Sequence, residues 1–343
     1  MRRGIVFCLL LITQLAFSQP KVRTCVDDSL NGPVHYVFQV GHKDSLLAEY
    51  DIKGRALFVK QDITEMCWYE YAEISREQHR YDYDAAGRLA HMNHSFSQVT
   101  WEPEPVNEKF HSCDEYYTWN KWGQVERSYR ISTDSLESLG ETVFYTYDKR
   151  GNVIVKNDYS AARSTRSDSL LRKTEFTYDR KNRLLSRKIF LYTADTFQLQ
   201  EVHTRSYYSS GLLKTRCTYD GAGHLLSSDS TVYDGHRRVM EQRSRNVSEM
   251  NISWHWTCTY SDTGRFETYL LHVGLNSFRT ESTFNKQGDE TLRRYYDTKG
   301  LLDVEYTVSY VYDEYGNWTR FEQHTSNGES CIRERKIVYW STK

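Results

Sequence analysis

The chain has 343 residues, with 14% aromatics, 27 tyrosines, only 4 prolines and a formal net charge of −1. That near-neutral balance lacks the basic excess on which non-specific nucleic-acid binding depends. Tyrosine and threonine enrichment favours strands over helices, and no stretch after the N-terminus approaches the ~20 apolar residues of a membrane-spanning helix.

Met1 to Ser18 has the pattern of a secretory signal. Arg2 and Arg3 give a positive start, Ile5 to Ile12 an apolar stretch, and Ala16 and Ser18 the small residues of a cleavage site. The expected mature chain starts near Gln19, is exported and soluble, and has lost two arginines, which takes its formal charge to −3. No cysteine is placed to carry a lipid anchor just after the cut. The remaining cysteines are Cys25, Cys67, Cys113, Cys217, Cys258 and Cys331. An even number without a CxxC pair in an oxidising compartment predicts one or two disulfides, with pairing open, and neither a zinc site nor a dense disulfide scaffold. Residues 19–45 are expected to form an N-terminal strand segment packed on the first repeat.

From residue 46 one short pattern recurs: an aromatic, Asp or a substitute, two free positions, Gly, a polar residue, then an apolar one. It reads YDIKGRAL from Tyr50, YDAAGRL from Tyr83, WNKWGQV from Trp119, YDKRGNV from Tyr147 and YDRKNRL from Tyr178. A shortened YSSGLL from Tyr208 follows, then YDGAGHL from Tyr219, YDGHRRV from Tyr233 and YSDTGRF from Tyr260. FNKQGDE from Phe284, YDTKGLL from Tyr296 and YDEYGNW from Tyr312 complete twelve copies.

Each copy reads as a tight turn between antiparallel strands. The aspartate accepts a hydrogen bond from a backbone N–H two residues on, and the glycine takes a left-handed conformation at no steric cost. The predicted turn pairs are Asp51 with Gly54, Asp84 with Gly87, Asp148 with Gly151, Asp179 with Asn182, Asp220 with Gly223, Asp297 with Gly300, and Asp313 with Gly316. Asparagine is the next most tolerant residue at the glycine position; Arg237 breaks the rule and predicts a different turn. Aromatic pairs two apart, such as Tyr81 with Tyr83 and Tyr310 with Tyr312, and Cys217 with Tyr219, place each opener and its companion on one face. Leu89, Val125, Val153, Leu184, Leu225, Val239, Phe266 and Trp318 extend that face after the turn.

A weaker Asp-Ser-Leu motif, at Asp28, Asp44, Asp134 and Asp168 with Asp195-Thr196-Phe197 as a variant, marks the opposite turns. Openers lie 28 to 36 residues apart up to Tyr178 but as little as 11 apart later. The reading is therefore longer loops over 46–207, notably 101–113 and 159–169, compact repeats over 208–320 and a closing strand over 330–340. The fold class is all-β: an antiparallel hairpin meander of roughly 22 strands, in a long twisted or curled sheet, solenoid-like or a partial shell, with its aromatic face inward.

These residues resemble the YD-repeat family, also called RHS repeats, over about residues 46–320. The resemblance implies long antiparallel sheets wound into ribbons or hollow shells in secreted and surface proteins of bacteria. In the toxin branch a shell encloses a C-terminal toxin released by an aspartyl protease with a DPxG-type motif. That motif is missing here and few residues follow the last copy, so the likeness is to a repeat-only member without cargo or self-cleavage, too short to close a full shell.

Candidate chemistry is sparse. One acid per turn suits capping and falls short of the acid density of a calcium loop. His91 and His94 in HMNH are three apart and so point to opposite faces of a strand; with no HExxH and no carboxylate in the adjoining sequence, they read as surface histidines. WHWTC places Trp254, Trp256 and Cys258 on one face and His255 on the other. No nucleophile elbow, phosphate loop or dinucleotide fingerprint occurs. The expectation is a secreted, non-catalytic scaffold without metal or cofactor, binding an unknown protein or glycan at the cell envelope. The alternative is carbohydrate binding, or less readily glycoside hydrolysis by a carboxylate pair, with Trp68, Trp101, Trp119, Trp122 and Trp318 as stacking residues.

Overall fold

The computed structural model describes residues 30–40, 44–67, 71–101, 105–132, 140–161, 169–193, 195–247 and 252–340; the expected signal 1–18 lies outside them. The described chain is an antiparallel meander of 22 strands. The first eleven are β1 (Val34–Val40), β2 (Asp44–Tyr50), β3 (Ala56–Cys67), β4 (Tyr71–Tyr83), β5 (Leu89–Trp101), β6 (Pro105–Trp119), β7 (Val125–Ser132), β8 (Gly140–Tyr147), β9 (Val153–Ala161), β10 (Ser169–Tyr178) and β11 (Leu184–Thr193). The rest are β12 (Thr196–Tyr207), β13 (Leu213–Asp220), β14 (Leu225–Tyr233), β15 (Val239–Asn246), β16 (Ile252–Ser261), β17 (Gly264–Val273), β18 (Asn276–Asn285), β19 (Glu290–Tyr296), β20 (Leu302–Tyr312), β21 (Trp318–Thr325) and β22 (Ser330–Tyr339). Among the described residues no helix is long and apolar enough to cross a membrane.

The sheet closes. β1 pairs with β22 from Val34 opposite Tyr339 to Val40 opposite Glu334, so the expected open or partial shell is corrected to a barrel. A sheet edge exposes a row of unpaired N–H and C=O groups, and joining the first strand to the last removes both edges at once. Following opposed residues round the ring from Gln39 to Arg335, the register climbs by about one residue per strand, the stagger that goes with strands tilted roughly 35–45°. With strands ~4.8 Å apart, such a ring is roughly 40 Å across. Extensive backbone contact is confined to sequence neighbours and the β1–β22 seam.

The two faces differ in burial. Side chains of Val59, Tyr81, Ser128, Asp158, Phe176 and Cys258 are buried on one face, whereas Phe38, Tyr116, Val311 and Ile332 are exposed on the other. Side chains converge on the concave side of a curved sheet, so the buried face is the inner one. The hydrophobic cluster is local to β1–β5 and the segment ahead of β1: Leu30, Val34, Val37, Ala48, Tyr50, Ala56, Val59, Tyr81 and Leu89. Each large side chain so buried contributes about 1.5–3 kcal/mol.

Two local expectations need correction. Most of 101–113, expected as a loop, is strand: β5 runs to Trp101 and β6 starts at Pro105. Extra length in the first half goes into β4, β5 and β6, of 13, 13 and 15 residues, because their cross-strand ladders continue without a turn. Cys113, Cys217, Cys258 and Cys331 remain thiols; they lie on β6, β13, β16 and β22, and a disulfide needs Cβ atoms about 4 Å apart. Side chains of Cys25 and Cys67 lie outside the described residues. The weaker motif does head strands, with Asp44 opening β2, Ser169 opening β10 and Thr196 opening β12; its copies at Asp28 and Asp134 lie outside the described residues.

Candidate functional site

The repeated turn is a three-residue hairpin loop whose left-handed residue forms a bulge. In the second copy the Asp84 N–H donates to the Arg88 carbonyl at 2.9 Å and the Gly87 N–H to the Asp84 carbonyl at 2.8 Å. The Asp84 carboxylate accepts from the Arg88 N–H at 2.9 Å and from its Nε at 2.7 Å. Asp51, Asp148, Asp179, Asp220, Asp234, Asp297 and Asp313 each accept the N–H two and four residues on. These bonds give one oxygen of each carboxylate the capping role expected of it. Arg237 does not change its turn: it takes φ 65°, close to the 60° of Asn182, and keeps the same backbone bonds. The surrounding hairpin holds a side chain where glycine is preferred.

Beyond the turn, successive hairpins are tied by their openers. The hydroxyl of Tyr83 donates to the Ala56 carbonyl at 2.7 Å, Tyr147 to Val125 at 2.6 Å, Tyr178 to Val153 at 2.9 Å and Tyr260 to Val239 at 2.9 Å; Trp119 Nε1 does the same to Leu89 at 2.9 Å. Each acceptor is the first residue of the strand after the preceding turn. In the sixth copy it is Tyr207 that reaches Leu184, at 2.8 Å, while Tyr208 fills the aspartate position; the copy is full length and its opener is Tyr207. The arginine after the glycine lies over the next opener's ring, Arg55 on Tyr83 at 4.3 Å and Arg238 on Tyr260 at 4.1 Å. Burial raises the hydroxyl pKa of Tyr83 and Tyr147 to about 12, so both stay donors.

Not every copy faces inward. Turns at 51–55, 84–88, 120–124, 148–152, 179–183, 208–212, 234–238, 285–289 and 313–317 lie at one rim, while those at 220–224 and 297–301 lie at the other. A meander advancing one way round the ring turns clockwise at one rim and anticlockwise at the other. One chiral hairpin used at both rims must therefore invert its faces. Leu89 and Val125, at the first rim, are 2% exposed. Leu302, opposite Tyr296 at the second rim, is 51% exposed, and Leu225, opposite Tyr219, is exposed too. Short opener spacing thus marks copies at alternate rims. Phe266 is also exposed, because its turn is tighter: Ser261 pairs directly with Gly264, whose added Cβ would meet the Phe284 carbonyl oxygen at 1.9 Å. Thr325 to Glu329 form a further second-rim turn with threonine in the aspartate's place; the glycine at Gly328 was the available signal.

The tryptophans do not form one surface. Trp68 and the side chain of Trp101 lie outside the described residues. Trp119 is held by its bond to Leu89 and by Arg88, and Trp318 lies under the Arg335 guanidinium at 3.4 Å. Trp122, at a turn tip, is 73% exposed beneath Lys121. Trp254 packs against Tyr269, and Trp256 donates to Glu267 at 3.1 Å. His91 points outward between Asp82 and Asp114, at 2.9 and 2.8 Å, while His94 points inward and stacks on His79. Glu77, two residues before His79, belongs to the same inner face, so a carboxylate is near His94 in space although absent from its sequence neighbourhood.

Charges stand on both faces. The inner face pairs Asp158 with Lys156 and Arg172, and Asp229 with Arg216; the outer face pairs Arg294 with Glu305 and Lys173 with Glu175. Burial, aided by Arg205, Arg172 and Arg216, pulls the Arg187 guanidinium pKa down against the opposing pull of Glu201. On the outer face an open trough of about 610 Å³ crosses β13–β17, with Arg243, Arg245, His255 and His272 over Ser228 and Ser253.

No protein-family profile matches the chain, and a search of curated proteins finds no match. Among solved structures it is similar to a porin-like protein from Bacteroides uniformis, with 11% identity over 90% of this chain and 98% of that one, at a TM-score of 0.29. It is also similar to TcdB2-TccC3 without its hypervariable C-terminal region, with 12% identity over 80% of this chain at a TM-score of 0.24. This chain spans about 20% of the length of that protein. Scores this low do not establish a shared fold.

Proposed function

We propose that this chain is a secreted, non-catalytic YD-type repeat scaffold, a hollow barrel that binds another macromolecule at the bacterial cell envelope. The observation that carries the reading is the tie between repeats: the aromatic openers that could have formed a ligand strip are spent on holding one hairpin to the next. Charged side chains at mid-strand on the outer face support an aqueous setting, because lipid-facing charges near the midplane of a bilayer cost about 2–4 kcal/mol each. The basic outer trough and the wide polar interior are the surfaces open to a partner.

The test is recovery of tagged mature protein from its native envelope after cross-linking, with cell fractionation alongside. The reading expects an export-dependent protein and a reproducible partner whose capture is weakened by Arg243→Glu with Arg245→Glu, or by charge reversal at Arg216 inside the barrel. Cytoplasmic retention, or substrate turnover abolished by a point substitution, contradicts it.

The carbohydrate reading keeps one observation in its favour, the open ring of Trp122 beside Lys121. Quenching of tryptophan fluorescence by a glycan, lost in Trp122→Ala, supports it; an unchanged spectrum across a glycan panel removes it.

A further inference from the structure

The β4–β5 ladder brings two imidazoles and a carboxylate to one point on the inner face. Glu77 and His79 are two apart on β4, so the pleat sends both side chains to the same side. His94 is directly opposite His79 on β5. One ligand-type atom from each of Glu77, His79 and His94 lies within 4.8 Å of the other two. His79 Nε2 is 3.8 Å from Glu77 Oε2, and the rings of His79 and His94 stack at 4.5 Å with 12° between planes.

We propose that Glu77, His79 and His94 form a binding site for a divalent transition-metal ion, with zinc the best match to the donor set. Two histidines and one glutamate occur together in zinc sites that keep an open coordination position. Donors ~2 Å from a tetrahedral ion stand about 3.3 Å apart, so side-chain rotation suffices to close this group. The strand supplies the rigidity: an i,i+2 pair on one strand and the opposed residue on the next are fixed by the backbone ladder. His79 is mostly buried, with 22% of its side chain exposed, while Glu77 at 48% opens the site toward the barrel interior. His91 offers an internal control. It belongs to the same HMNH stretch as His94 but faces outward between two carboxylates of its own.

The experiment titrates zinc chloride into chelator-stripped mature protein by calorimetry and records cobalt(II) absorption as a geometry probe. The expected result is one ion per chain with cobalt bands of low-coordinate nitrogen and oxygen ligation. His94→Ala should lower affinity by more than about a hundredfold, since even loss of a supporting second-layer group costs 10–100-fold; Glu77→Gln should weaken binding, and His91→Ala should leave it unchanged. If His94→Ala alters the circular dichroism spectrum, Glu77→Gln decides. Absence of zinc and cobalt binding in the unsubstituted protein overturns the proposal. So does wild-type affinity in a folded His94→Ala or, where Glu77→Gln decides, in that variant, or loss of binding in His91→Ala.

Discussion

Asn31 and Asn317, 286 positions apart, hold each other reciprocally: the Asn31 N–H donates to Asn317 Oδ1 at 2.6 Å, and Asn317 Nδ2 donates back to the Asn31 carbonyl at 2.9 Å. Asn317 also donates to the Tyr339 hydroxyl at 2.7 Å, and Tyr339 in turn donates to Asp313. The last turn, the last strand and the segment ahead of the first strand thus meet at one side chain, which is 2% exposed.

Asn317→Ala removes the three hydrogen bonds of a side chain that is 2% exposed, each with a net value of about 0.5–1.5 kcal/mol. The expected outcome is a loss of roughly 2–4 kcal/mol in urea unfolding, with faster proteolysis near β1. A change under about 0.5 kcal/mol would mean that the seam does not depend on this latch.

Arg237 occupies a left-handed backbone position that costs a non-glycine residue roughly 1–2 kcal/mol. Arg237→Gly is expected to raise stability by about 0.5–1 kcal/mol, the entropy of the glycine offsetting part of the relief. A destabilised variant would show that the Arg237 side chain contributes more than its backbone strain removes.

The two rims give a paired prediction. Tyr147→Phe removes a half-buried bond to Val125 and is expected to cost about 1 kcal/mol, whereas Tyr219→Phe, on the outer face at the second rim, should lie within about 0.5 kcal/mol of the unsubstituted protein. Equal costs would contradict the inversion of faces between rims.

Acid should loosen the barrel through its turns. The carboxylates of Asp84 and Asp179 are held below the ordinary 3.8 first by the N–H four residues on, and that of Asp148 by the Asn152 amide; at Asp51 burial pushes the other way, and the Arg55 N–H and guanidinium outweigh it. A pKa lower in the folded than in the unfolded chain gives stability that is present above pH 3.8 and lost as pH falls through the folded value. The urea midpoint should therefore drop as pH falls from about 4 toward 2, and Asp84→Asn with Asp179→Asn should flatten that dependence. A midpoint constant over this range contradicts the capping account.

The hairpin was legible because its chemistry is local: an aspartate, a glycine three residues on and an aromatic before them specify a turn wherever they occur. What lay beyond it depends on direction and distance. The arginine of YDxxGR looked like any polar residue, since its aromatic partner, such as Tyr83 for Arg55, comes a whole repeat later. Tyr296 and Tyr219 carry the same motif as Tyr147, and only the sense in which the chain turns puts them outside. Closure depends on Val34–Val40 finding Ser330–Tyr339, a pairing with no local mark. The meeting of Glu77, His79 and His94 was hidden for a related reason: HMNH was read along its own strand, although an EQH three-residue step on the strand before it was the available signal.

Closure is tested most directly across the seam. Phe38 and Lys336 are opposed on β1 and β22, both on the outer face, and opposed antiparallel residues have Cα atoms about 4.5–5.5 Å apart, within disulfide reach. Phe38→Cys with Lys336→Cys, oxidised at low protein concentration and mapped by mass spectrometry, should give an intrachain bridge between these two positions. Failure to form that bridge in the folded protein, or bridges only between chains, would contradict a closed barrel.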